Sequence, residues 1–65
     1  MLKVIESIAN KYNAGMKKEE LIRRVYHDLV NSGIKAAILN NRYLIVDGQN
    51  YQIRKKAGQF SVSTF

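Results

Sequence analysis

The side chains able to do chemistry in this chain are mostly cations. Arg54-Lys55-Lys56 form a run near the C-terminal end, with Arg42 and Tyr43 upstream and Gln52 two residues before the run. Lys17, Lys18, Arg23, Arg24 and His27 form a second basic group. Lysine and arginine attract phosphates and release their counterions, while a tyrosine face can stack a base. A two-stranded ribbon carrying such residues can also enter a major groove. Arg42, Tyr43, Gln52, Arg54, Lys55 and Lys56 are therefore the candidate nucleic-acid contacts. The chain lacks the aromatic signature of the RRM, the GXXG loop of KH domains and any zinc-finger spacing.

Catalytic arrangements find few candidates. His27 is the only histidine. A nucleophilic site needs a base oriented by a carboxylate and set beside Ser, Cys or Thr. Asp28, next in sequence, points to a different side of a helix, and Ser32 lies too far round. Glu19 and Glu20 project about 100° apart on a helix and form no carboxylate pair. One histidine with scattered acids is a poor metal set. The four glycines follow no phosphate-loop spacing. The expectation is a non-catalytic protein with no cofactor, no metal and no small-molecule substrate.

Composition narrows the class. The 65 residues are 46% hydrophobic and carry 11 Lys+Arg against 5 Asp+Glu, with no Cys and no Pro. That length allows a single domain over residues 1–65 and excludes a disulfide scaffold or a cysteine zinc site. The longest apolar runs, Ala36–Leu39 and Tyr43–Val46, are four residues, far short of a membrane span. Met1 to Glu6 lacks the pattern of a signal peptide. The expected setting is the cytoplasm. Charge is uneven: residues 1–33 carry six basic and four acidic side chains, residues 34–65 five basic and one acidic.

Two helices and a meander must position these groups. Leu2, Ile5, Ile8, Ala9 and Tyr12 recur at helical spacing, which predicts a helix over 2–14 stopped by a left-handed Gly15. Leu21, Ile22, Val25 and Leu29 predict a second helix over 17–32, ended by Gly33. Glu20, Arg24 and Asp28 stand at i,i+4 steps and can pair. After Gly33 the period changes to two. Strand-like runs at 34–39, 43–47, 51–56 and 60–65 are broken at Asn40-Asn41-Arg42, Asp47-Gly48-Gln49-Asn50 and Ala57-Gly58-Gln59. The expected fold is α+β: two N-terminal helices packed on one face of a three- to four-stranded antiparallel meander, ααββββ. Leu44, Val46, Tyr51, Ile53, Phe60 and Val62 form its core face against Ile5, Ile8, Tyr12, Leu21, Val25 and Leu29. The first strand is better read with Ile34, Ala36 and Ile38 inward, its register depending on a two- or three-residue loop. The stretch Asn13–Leu21 is similar to the short turn of helix-turn-helix segments, and a helix followed by a hairpin resembles the end of a winged helix. Such a unit needs a third helix to brace the recognition helix, and the pattern holds two.

Tyr43 and Ile45 fall outside the core, beside a first strand apolar on both sides, and contiguous exposed apolar area marks contact surfaces. They are the candidate partner-binding residues. A 65-residue chain buries only about 60% of its unfolded surface. Two functional classes result. One is a small basic nucleic-acid-binding or DNA-associated regulator. The other is a protein-binding adaptor or inhibitor that uses the apolar sheet face or an exposed strand edge as a homodimer.

Overall fold

The computed structural model describes all residues, 1–65. Two helices, α1 (Leu2–Ala9) and α2 (Lys18–Asn31), precede four strands: β1 (Ala36–Leu39), β2 (Tyr43–Val46), β3 (Gln49–Lys56) and β4 (Gln59–Thr64). The strands form one antiparallel sheet in the order β1-β2-β3-β4. This is the ααββββ arrangement expected from the change of period at Gly33. Nothing corresponds to a third, bracing helix. No helix is long and apolar enough to cross a membrane.

Turn chemistry sets the register. Asp47 and Gly48 take φ of 50° and 82° and join Val46 to Gln49, while Ala57 and Gly58 take 50° and 76° and join Lys56 to Gln59. Positive φ at both central residues matches the right-handed twist of the flanking strands. The first hairpin uses the three-residue loop: Leu39 pairs with Tyr43, and Asn40 and Asn41 take φ of 53° and 58°. Asparagine tolerates that region because its short side chain can bond locally. The result turns Ala36 and Ile38 toward the helices, where they pack against the core with Ile34.

The core holds twelve residues, all apolar. The sheet supplies Leu44, Val46, Tyr51, Ile53, Phe60 and Val62, the six expected from alternation. The helices supply Ile5, Ala9, Leu21, Ile22, Val25 and Leu29. Each buried Leu or Val contributes about 1.5–3 kcal/mol, so a one-residue slip that exposed Leu44 and Val46 is strongly disfavoured. Ile8 and Tyr12, expected in this core, are half-buried on its rim.

The first helix is shorter than its apolar spacing implies. It ends at Ala9, not near residue 14. Beyond it the bonds tighten to three-residue steps, Lys11 N–H to Ile8 O and Tyr12 N–H to Ala9 O, each 3.2 Å. Asn10 draws the chain out of the helix, because its side chain is bonded to β4. Gly15 is not left-handed. Its N–H donates to Asn13 Oδ1 at 2.8 Å, closing a turn within the connection. Gly33 does act as the stop of α2, with φ of 82°. Its N–H donates to Val30 O and that of Ile34 to Leu29 O, both at 3.0 Å, the paired bonds of a Schellman end. The remaining boundaries differ from expectation by a residue or two, as ends commonly do.

The two edges of the sheet are treated differently. Along β4, Phe60 N–H donates to Asn10 Oδ1 at 2.9 Å and Phe60 O accepts from Asn10 Nδ2 at 3.0 Å. Val62 N–H donates to Glu6 Oε2 at 3.1 Å. Helix α1 thus satisfies the β4 edge with side chains, as a neighbouring strand would with backbone. No such groups reach β1.

Candidate nucleic-acid interface

Register decides which cations meet. β2 pairs only with Gln49–Gln52 of β3, whereas β4 pairs with Tyr51–Lys56. The second half of β3 therefore runs past the end of β2 with β4 as its only strand neighbour. This two-stranded ribbon carries Arg54, Lys55 and Lys56 and closes at Ala57-Gly58. All three cations are exposed.

Alternation divides them. Arg54 and Lys56 share the outer face with Gln52 and, on β2, with Tyr43, which pairs directly with Gln52. Ser61 stands opposite Arg54 and Ser63 opposite Gln52. Lys55 projects from the other face, opposite Phe60. There it borders a recess of ≈ 310 Å3 with Lys17, Lys18, Met16 and Ile53. The six candidate contacts thus do not form one surface. Tyr43, Gln52, Arg54 and Lys56 are together on the outer face, Lys55 joins Lys17 and Lys18 on the helix side, and Arg42 lies exposed in the loop before Tyr43.

The ribbon has no acidic neighbour in sequence, since Asp47 is the last acid of the chain. The only ion pair in the molecule joins Arg24 to Glu20 at 3.7 Å on α2. Asp28, the third member of that expected row, instead accepts a hydrogen bond from the Tyr12 hydroxyl. This bond, with desolvation and the charge of Asp28, raises the Tyr12 phenol above its ordinary pKa. Asp28 is thereby committed to tying the connection after α1 onto α2. His27 is exposed, its ring edge-on to Tyr26 at 5.4 Å.

The ribbon is well supported. Its inner residues Ile53, Phe60 and Val62 are buried, and Asn10 holds Phe60 from the edge. Its tip is strained: Ala57 is the one left-handed residue of this chain that is neither Gly, Asn nor Asp. Left-handed geometry costs an alanine about 1–2 kcal/mol.

Tyr43 is less available than an isolated stacking platform. It is half-buried, and the Phe65 ring leans on it with centroids 4.7 Å apart. Ile45, its neighbour on the outer face, is also half-buried. The sequence pattern missed Phe65 as a partner of Tyr43, because where the residue after β4 comes to lie across β3 depends on the register of two hairpins. It also missed the convergence of Lys17 and Lys18 on Lys55, which depends on the path of the connection after α1. No protein family, curated protein or solved structure matches the chain.

Proposed function

We propose that this protein is a small, non-catalytic nucleic-acid-binding regulator that engages phosphates with the β3–β4 ribbon. The observation that carries this reading is the overhang. Three consecutive cations stand on a two-stranded segment that runs past β2, without an acid on it, over a buried inner face. The inner face of this segment is packed on the core, so the outer face is the one that can lie along a groove. Arg54 and Lys56 on that face can reach phosphates, while Lys55, with Lys17 and Lys18 at the helix side, adds a second row of cations along its border. Tyr43 and Gln52 extend the outer face toward the sheet centre, and Arg42 adds a cation beside them. A strained alanine at the tip supports the same reading, since backbone strain concentrates where a segment is used. A cytoplasmic site of action belongs to this proposal, because that is where such a ligand is met.

The test is the salt dependence of binding. Affinity for a mixed-sequence duplex should fall linearly on a log–log plot against salt, with a slope of about −0.9 for each phosphate neutralised. The double variant Arg54→Ala, Lys56→Ala should reduce that slope by about two while leaving the fold intact, since both side chains are exposed. A single strand assayed in parallel distinguishes groove entry from simple backbone tracking. Affinity indifferent to salt and to both substitutions would rule the reading out.

A further inference from the structure

The two edges of a four-stranded sheet have the same problem: a row of N–H and C=O groups with no strand beyond them. Glu6 and Asn10 solve it for β4. At β1, Asp47 N–H donates to Lys35 O at 3.1 Å, which marks that pair as a hydrogen-bonded one. Bonding alternates along an antiparallel ladder, so Ala37 also faces β2, while the N–H and C=O of Ala36 and Ile38 point outward. The same edge runs along an open groove of ≈ 920 Å3 whose walls include Tyr26, Val30, Ile34, Ala37 and Ile45. Val30, in its wall, and Leu39, at the end of β1, are 43% and 39% exposed.

We infer that a second copy of this chain occupies that edge, β1 pairing with β1 antiparallel about a two-fold axis at Ala37. The register is self-complementary. Centred on Ala37, it sets Ala36 against Ile38 of the second copy and Ile38 against its Ala36. These are the residues with free backbone groups, and each pair joins a large side chain to a small one. Ala37 meets its own symmetry mate in the close pair of the ladder, with Cα atoms about 4.5 Å apart, where a small side chain fits best. Lys35 falls opposite Leu39 rather than opposite another lysine.

Charge favours the same occupant. The chain carries +6, so most surfaces of two copies repel. The groove carries no net charge: its only charged residues are Lys35 and Asp47, one of each sign. Size sets how tight the contact is. Ten residues line the groove, against about 20–30 residues and 800 Å2 per partner in a standard interface. The pair is therefore a small interface that forms on concentration and separates on dilution. It builds a continuous eight-stranded sheet with both outer faces on one side. At about 4.8 Å per strand, the two copies of β3 lie roughly 24 Å apart across it.

Two variants at one exposed position test this without disturbing the core. The wild-type chain should sediment as a monomer at micromolar and as a dimer at millimolar concentration, and its Ala36 and Ile38 amides should exchange more slowly at the higher one. Ala37→Lys places two like charges at the axis and should give a folded monomer at both. Ala37→Cys, the only cysteine in the chain, should form a symmetric disulfide about tenfold or more faster than Ser61→Cys, because the dimer raises the effective thiol concentration. Equal crosslinking of the two cysteine variants would overturn the pairing. So would a single-chain mass at millimolar protein with Ala36 and Ile38 exchange unchanged by dilution. Nucleic-acid binding by the ribbon can stand or fall separately, since Ala37→Lys leaves Arg54 and Lys56 in place.

Discussion

Ala57 and Asp47 begin turns of the same shape, with φ of 50° at both, yet only one has a side chain suited to it. Aspartate can bond its own backbone in the left-handed region, whereas alanine brings only a Cβ that crowds the following carbonyl. Ala57 therefore holds free energy that a different residue would release. Ala57→Gly should stabilise the protein by about 1 kcal/mol, the left-handed penalty less the extra unfolded-state entropy of glycine. For a domain of this size that is a rise in Tm of about 4–8 °C. A thermal melt that is unchanged or lower would show that the tip is not strained. The same residue illustrates what a sequence can reveal about a turn. Gly58 after Ala57 marks the break, and the positive φ at Gly58 agrees with it. Nothing about alanine announces that it, too, is left-handed. That follows only from the two-residue loop imposed by the pairing of Lys56 with Gln59.

At the level of elements, α1 does two jobs with one short helix. Its apolar side buries Ile5 and Ala9, and its polar side turns Glu6 and Asn10 onto the edge of β4. The Asn10 amide is bonded to both the N–H and the C=O of Phe60, so removing it leaves two partly buried backbone groups unsatisfied. Asn10→Ala should cost about 1–3 kcal/mol in urea denaturation. It should also open β4 to intermolecular pairing, seen as concentration-dependent species larger than any the wild type forms at the same concentration. A loss below about 0.5 kcal/mol, the range of ordinary surface substitutions, would mean that water replaces the amide. The polar side of α1 was also where the sequence was least legible. Periodicity reports which residues share a face, so it identifies the six core positions of the sheet and four of the six in the helices, where Ala9 and Ile22 are buried in place of Ile8 and Tyr12. It carries no information about a long-range bond from Asn10 to a residue fifty positions away. Hence the expected helix ran on to residue 14, past the point where that bond diverts the chain. The candidate interface divides the same way. Alternation alone puts Arg54 and Lys56 with Gln52 on one face and Lys55 on the other. The overhang that makes them a projecting ribbon depends on strand lengths, which the turns do not dictate.

Considered whole, the molecule is a small cationic body whose charges respond to salt in two opposite ways. Its extents are 28 × 24 × 21 Å, and it carries 11 basic and 5 acidic side chains with a single, exposed ion pair. At about 0.01 M salt the Debye length is about 30 Å, longer than the molecule, so every cation senses every other. At about 0.15 M it is about 8 Å, and only near neighbours interact. Screening therefore removes net repulsion from the folded state, which holds these charges closer together than the unfolded chain does. The one exposed pair is worth at most about 0.3–0.5 kcal/mol and cannot reverse the sign. The Tm should accordingly rise between those two salt concentrations in a buffer of non-binding ions. Binding of the ribbon to phosphates should weaken over the same interval, because counterion release opposes it. Opposite slopes for stability and binding in one titration series are the signature of a surface whose cations are left unpaired in the free protein. A Tm that falls with added salt would mean that attractive pairs outweigh repulsion, and that the cations of this surface are not left unpaired as the single ion pair implies.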